Sequence, residues 1–325
     1  MPAYLLRRLL YAVPILIGVN LLTFVLFFVV NSPDDMARMH IGVKRATPEA
    51  IERWKVERGY DKPMFINDAA SGSARFTETL FFDKSLRMFA LEFGRADDGR
   101  DIGQEIRERM GPSLAIALPT FVLSLVVSIS FALLLVFFRA TWLDFWGVVL
   151  CVAMMSISSL FYIIGGQWLV SKLWALVPIS GYAPGLDAAR FLVLPVLISV
   201  VAGIGSSARW YRTIFLEEIS KDYVRTARAK GLSELAVLFR HVLRNALIPI
   251  ITSAGAYLPY VFMGSLVFES FFGIPGLGAF VIEAISGQDF AIVRSMVFLG
   301  ALLYILSYVL IDVAYTWADP RVRLS

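Results

Sequence analysis

The side chains best suited to chemistry are few and scattered. Cys151, His40 and His241 are the chain's one thiol and two imidazoles among 325 residues. None stands at a spacing from another that would hold a zinc ion, so the sequence points to no metal site. No Gly-x-x-x-x-Gly-Lys-Ser/Thr segment occurs, so the backbone cradle with which many proteins hold ATP phosphates is missing. The chain reads as no enzyme and as carrying no cofactor of its own. Its chemistry-bearing residues gather instead in one stretch, Glu217 to Arg244.

In that stretch Glu217 and Glu218 come first and Arg225, Arg228 and Lys230 last, the order that a helix dipole favours. The reading is one helix through Lys230, ended by Gly231 in the left-handed conformation. Ser233, followed by Glu234, then caps a second helix. Small Ala227 and Ala229 leave a low profile beside the glycine, a shape suited to docking in another protein's groove, with Ala227 expected on the docking face. A nucleic-acid partner would want stacking aromatics or a groove-reading element, and the net charge of only +4 argues against one as well.

The elements that must position this stretch are apolar helices. With 58% hydrophobic residues the chain is too apolar for ordinary globular packing in water. Six segments are long enough to cross about 30 Å of hydrocarbon: Leu9 to Val30, Pro112 to Phe138, Phe145 to Ser171, Phe191 to Ala208, Asn245 to Phe268 and Ser295 to Trp317. The fold class is therefore an all-α, polytopic membrane protein with six transmembrane helices. Arg7 and Arg8, Arg139, the basic residues between Arg209 and Arg244, and Arg321 with Arg323 mark the cytoplasmic side, which places both termini inside. Residues 1–30 form the N-terminal tail and first span, and 31–111 an extracytoplasmic segment. Residues 112–325 form the transmembrane domain, with a cytoplasmic loop at about 209–245 between spans four and five.

Within the outer segment, Thr47 and Pro48 open a short helix that ends near Gly59, with Ile51 and Trp54 on its apolar side. Ile102, Ile106 and Met110 describe an amphipathic helix along the outer interface. Pro14, Pro119, Pro195 and Pro259 read as static kinks in the spans. Arg294 reads as an outer-interface anchor, and Asp312 as reaching the cytoplasmic interface or a basic partner. The run Phe272, Gly273, Pro275, Gly276 and Gly278 serves either as part of an outer gate or as interfacial packing.

One stretch of residues resembles a known family: Asp222, Tyr223, Val224, Arg225, Thr226, Ala227, Arg228, Ala229, Lys230, Gly231, Leu232 and Ser233, followed by Arg244-Asn245-Ala246-Leu247-Ile248-Pro249. It is similar to the coupling loop of bacterial ABC importer permeases, above all the dipeptide, oligopeptide and nickel class. The resemblance extends to Phe268–Gly278, Gln288-Asp289-Phe290, the opening Tyr4–Leu10 and the closing Ala318–Arg323. The sequence departs from the family at Asn31-Ser32-Pro33-Asp34-Asp35 and at Arg294. The resemblance implies a multi-pass inner-membrane subunit for peptide import, embedded in membrane lipid. It would work with a second homologous permease, two cytoplasmic ATPase subunits that bind ATP and Mg, and an extracytoplasmic solute-binding protein. A secondary transporter or channel is the alternative, but the spans hold almost none of the midplane charges that coupling ions require.

The charge bias yields a direct test. Reporter fusions near Gly72 are expected outside the cytoplasm and fusions near Lys230 and Ser325 inside it; a cytoplasmic Gly72 refutes the six-span topology.

Overall fold

A computed structural model describes residues 2–42 and 45–318 of the chain. In order, its helices are α1 (Pro2–Phe24), α2 (Pro33–Ile41), α3 (Pro48–Arg58), α4 (Ala74–Thr77), α5 (Leu80–Lys84), α6 (Ile102–Phe137), α7 (Trp142–Ser156) and α8 (Ser159–Gly166). There follow α9 (Ala188–Ile219), α10 (Asp222–Ala229), α11 (Glu234–Val237), α12 (Leu247–Gly255), α13 (Leu258–Met263), α14 (Leu266–Phe272), α15 (Leu277–Ser286) and α16 (Phe290–Ala318). Wider π-helical turns continue α1 through Val25–Val30, α8 through Gln167–Leu173 and α11 through Leu238–Leu243. Among the described residues there is no strand, only an isolated bridge between Arg95 and Asp101. Arg321, Arg323 and the closing motif beyond Ala318 lie outside the described residues.

Among the described residues, four stretches are long and apolar enough to cross a bilayer: Leu10–Val30, Ile102–Phe137, Ala188–Ile219 and Phe290–Tyr315. Three helix pairs qualify only when joined across a bend: Trp142–Ser156 with Ser159–Leu173 at 89°, Glu234–Leu243 with Leu247–Met263 at 56°, and Leu266–Phe272 with Leu277–Ser286 at 88°. The chain is thus all-helical, with four to seven candidate spans.

Several segments differ from the sequence reading, each for a local reason. The expected straight span from Phe145 to Ser171 is broken, because Ile157 is extended and Ser158 caps α8 by accepting the Leu160 N–H at 3.4 Å. Hydropathy does not register a serine that restarts a helix. The segment Asn245 to Phe268 is divided among α12, α13 and the start of α14. Pro249 and Pro259 sit in the first turns of α12 and α13, where a missing N–H is harmless, and Gly264 at φ +74° follows α13. By contrast Pro14, Pro119 and Pro195 lie inside the unbroken helices α1, α6 and α9. The interfacial helix expected around Ile102, Ile106 and Met110 is not a separate element. It is the start of the 36-residue α6, with Ile102 and Ile106 buried.

The chain folds as two compact units, Met1–Arg109 with Phe280–Leu306, and Met110–Ala279 with Ser307–Ser325. In the first, an aromatic core gathers Phe24, Phe28, Trp54 and Tyr60 with Met36, Ile51 and Leu80. The Thr47 hydroxyl accepts the Ala50 N–H at 3.3 Å and Gly59 is left-handed at φ +65°, so α3 starts and stops where the sequence indicates. Arg294 is no interface anchor. It is buried, its guanidinium carbon 4.8 Å from the centre of the Phe28 ring, where the electron-rich face supports the charge.

In the second unit α7 and α9 approach closely at Gly205, where any Cβ would lie 2.6 Å from the Cys151 carbonyl oxygen. Cys151 is a small buried side chain beside Leu135 and Ala208. Arg212 of α9 donates to both carboxylate oxygens of Asp144 on α7, at 2.8 and 2.7 Å. A core of this unit joins Phe215 and Ile219 at the end of α9 to Leu133 and Val136 of α6, Val224 and Ala227 of α10, and Val237, Leu238 and Val242 that follow. Phe215 is fully enclosed there. Phe215→Ala is therefore expected to cost about 3–5 kcal/mol and to lower the thermal midpoint in detergent markedly, whereas exposed Trp210→Ala stays within about 0.5 kcal/mol. Equal midpoints for the two variants would contradict the packing.

Candidate functional site

Two features of the second unit are candidates for function. The first is α10 with the turn that follows it. Its eight residues begin with Asp222 and carry Arg228 in the last turn, both favourable to the helix dipole. Leu232 N–H donates to Ala227 O at 3.3 Å and Gly231 N–H to Arg228 O at 2.9 Å, with Gly231 at φ +79°. This is the paired closure of a helix ending on a left-handed residue, and Leu232 and Ala227 supply the apolar contact that accompanies it. The Ser233 hydroxyl then accepts the Ala236 N–H at 3.4 Å and starts α11.

The structure divides the predicted docking residues by face. Val224 and Ala227 are buried against α9, α6 and α11, and Tyr223, Arg228 and Leu232 are half-buried. Asp222, Arg225, Thr226, Ala229, Lys230, Gly231 and Ser233 are exposed. Two corrections follow. The helix expected from Glu217 to Lys230 is two helices, since α9 ends at Ile219 and Lys221 is extended before α10. Ala227 does not face outward: a three-residue spacing from Val224 puts it on the inner face, and Ala229 is the small residue left exposed. The Tyr223 hydroxyl donates to the Glu218 carboxylate across the break between α9 and α10. Burial pushes this phenol above its ordinary value, and the adjacent Glu218 carboxylate pushes it further, so it stays a donor through the physiological range.

The second feature is a cavity of about 510 Å³ between α6, α9 and the α12–α14 region. Its wall combines apolar and aromatic groups with hydroxyls: Thr120 and Ser124 from α6, Ser199 and Ser206 from α9, and Tyr257 and Tyr260 beyond α12. Among the described residues Glu269 is the one ionisable carboxyl on this wall, and it is locked in place. It is 1% exposed and accepts from Ser113 Oγ at 2.8 Å, Ser265 N–H at 3.2 Å and Ala279 N–H at 3.0 Å. Ser113 Oγ in turn accepts the Leu277 N–H at 2.7 Å. A carboxylate so supplied with donors holds the α14–α15 turn to α6 and is not offered to a ligand.

The candidate gate residues form this turn. Gly273 is left-handed at φ +63°, Phe272 is buried among Ile116, Ile163 and Ile274, and Gly276 and Gly278 pack where no side chain fits. A Cβ on Gly278 would lie 2.7–2.8 Å from the backbone of Ser265 and Leu266. Phe272, Gly273, Pro275, Gly276 and Gly278 do not line the cavity; the residues from Gly264 to Glu269 just before them do. Sequence reading singled out neither Ser113 nor the hydroxyl wall. The signal was present, since Ser113, Thr120 and Ser124, and Ser199, Gly203 and Ser206, recur at helical spacing inside apolar helices. Among the described residues no group of three or more His, Cys, Asp or Glu could hold a metal ion.

Residues 114–324 match the family described as binding-protein-dependent transport system inner membrane component, and residues 1–89 match the N-terminal part of such membrane components. The chain is 35% identical over 328 residues to a protein of Brucella abortus described as a peptide transport system permease, covering 99% of each. It is 30% identical to a peptide ABC transporter permease protein of Sinorhizobium fredii, over 99% of this chain and all of the relative. It is 29% identical to the glutathione transport system permease protein of Escherichia coli, over 98% of each.

The turn around Glu269 gives a sharp test. Gly278→Ala must displace backbone and is expected to cost about 1–3 kcal/mol, lowering the thermal midpoint in detergent. Gly203→Ala, on the cavity wall with nothing within 4 Å of its new Cβ, is expected to leave the midpoint unchanged or slightly higher.

Proposed function

Since the chain belongs to the family of binding-protein-dependent transport system inner membrane components, we propose that it forms half of a peptide pathway and couples that pathway to ATP hydrolysis by partner subunits. It is a permease subunit of an ABC importer and a multi-pass protein of the bacterial inner membrane. The work of hydrolysis falls to two cytoplasmic ATPases that bind ATP and Mg. A second permease of similar fold completes the pathway, and an extracytoplasmic binding protein delivers the solute. Six crossings with both termini inside fit the basic residues at Arg7, Arg8, Arg139 and Arg209–Arg244, with the bent pair α14–α15 entering and leaving on the outer side. In this reading Phe272–Gly278 brace an outer gate formed by the segment from Gly264 to Glu269.

The observation that carries the reading is the two-faced α10. One face is fused to the ends of α9, α6 and α11, and the other presents Asp222, Arg225, Ala229 and Lys230 to a partner. A helix held this way moves as a rigid body with the spans it packs on. Closure of the ATPases around it then tilts α9 and α6, and these two helices line the cavity. The cavity itself suits a peptide. Hydroxyls both donate and accept, so they exchange hydrogen bonds with amide N–H and C=O groups, and no unpaired charge holds the solute tightly.

The test is a variant on the outer face. Ala229→Asp, in the complete complex reconstituted in vesicles, is expected to lower transport and substrate-stimulated ATP hydrolysis about tenfold or more, because docking would bury an unpaired charge. Wild-type rates with the ATPases still bound would overturn the reading.

A further inference from the structure

The cavity has two long walls, α6 and α9. Helix α9 reaches α10 through the chain itself, with only Ser220 and Lys221 between them. Helix α6 has no covalent connection to α10, since the turn after it leads away to α7, and meets it through the packing of Leu133 and Val136 in the shared core. A charged chain of contacts adds a second, directional link. Arg228, in the last turn of α10, donates to both oxygens of Glu234, at 2.8 and 3.3 Å. The same Glu234 carboxylate faces Arg139 Nη1 at 3.7 Å. Arg139 follows the last turn of α6, and its Nη1 also donates to Val136 O of that turn at 3.4 Å. Glu234 therefore stands between the docking helix and the end of α6.

The turn it reaches is otherwise constrained. Ala140 is left-handed at φ +62°, an uncommon conformation for a residue with a side chain. Its N–H donates to Asp144 at 3.3 Å, and Asp144 is gripped by Arg212 of α9. Arg139, Asp144, Arg212 and Glu234 border one hollow of about 690 Å³. The turn from Phe138 to Thr141 is thus pinned from α9 on one side and from α10 and α11 on the other, and it cannot shift without moving α6.

We propose that Glu234 is a positioning residue that ties the C-terminal end of α6 to α10, so that a displacement of α10 drives both cavity walls together. Resting on the reading of α10 as the docking element, this assigns Glu234, Arg139 and Arg228 to transmission. Their side chains are 43%, 35% and 33% exposed, so the pairs add little to folding stability. A purely structural role and a transmission role therefore differ in what they predict. Removing the Arg139 link leaves the fold intact and loosens the timing between α6 and α9.

The experiment uses the complete complex in vesicles, with a labelled tripeptide as probe and the ratio of peptide transported to ATP hydrolysed as readout. Arg139→Gln and Glu234→Gln are each expected to lower that ratio about threefold, with the thermal midpoint unchanged and the double variant no worse than either single. Arg139→Lys is expected to restore it, because a contact at 3.7 Å needs the charge and not the planar fork. A wild-type ratio in both single variants, or strictly additive losses, overturns the proposal. Ala229→Asp is scored in parallel for retention of the ATPases. If it keeps them at full activity, α10 is not the docking element and this proposal falls with that reading; if it loses them while Glu234→Gln keeps the ratio, only the bridge is refuted.

Discussion

Inside hydrocarbon no water is present to receive a backbone N–H or C=O that a broken helix sets free, so a break survives only where the protein provides a partner. That constraint organises this molecule. At the bend between α7 and α8 the Tyr162 hydroxyl donates to the Met154 carbonyl at 2.9 Å, and Ser158 receives the Leu160 N–H at the start of the new helix. Before α12, Asn245 Nδ2 donates to His241 O at 2.7 Å. Gln167 spans two further loose ends, the carbonyls of Ile179 and Phe271 at 3.1 and 3.2 Å. Glu269 is the fullest case: one carboxylate and the Ser113 hydroxyl absorb the amides of Ser265, Leu277 and Ala279 where α13, α14 and α15 are interrupted. Each interruption gives the chain a place to bend, and each partner fixes how.

Helix α10 obeys a related rule. A helix of eight residues is far too short to persist alone, since nucleation costs more than so few hydrogen bonds return. Its stability must come from the buried stripe of Val224 and Ala227 and from the closure at Gly231 and Leu232. The residues that make α10 stable are therefore those that make it rigid with the spans. In the proposed coupling role, stability and force transmission would rest on the same contacts, and the outward face is left free of structural duty.

Much of this was legible in the sequence. Membrane class followed from hydropathy, and the start and stop of α3 followed from Thr47, Pro48 and Gly59. The end of α10 followed from Gly231, whose left-handed backbone the structure shows. What stayed hidden has physical causes. Averaging hydropathy over about 20 residues cannot see Ser158 or Gly264, because a single residue that restarts or ends a helix barely changes the mean. The break at Ser220 and Lys221 was masked by charges arranged as in one continuous helix. Ala227 was misplaced because its direction depends on where α10 begins, and a shift of helix start rotates every later residue by about 100°. Glu269 and Ser113 lie 156 positions apart, so their pairing is a property of the fold alone.

In the proposed pathway, the treatment of charge in the second unit follows from what a conduit must do. A free carboxylate or ammonium on the cavity wall would bind an oppositely charged solute strongly in a low-dielectric setting and release it slowly. Glu269, on that wall, avoids this because its oxygens already accept from Ser113, Ser265 and Ala279. In the proposed pathway the polar groups left to meet a solute are hydroxyls, whose hydrogen bonds to a peptide would replace those it makes with water at little net gain. Weak, exchangeable contacts of this kind leave affinity to be set elsewhere. The permease is then free to change shape around its cargo without first having to pull it from a tight site. In that proposed role the chain would need no binding energy of its own for the solute, only a wall that can be moved.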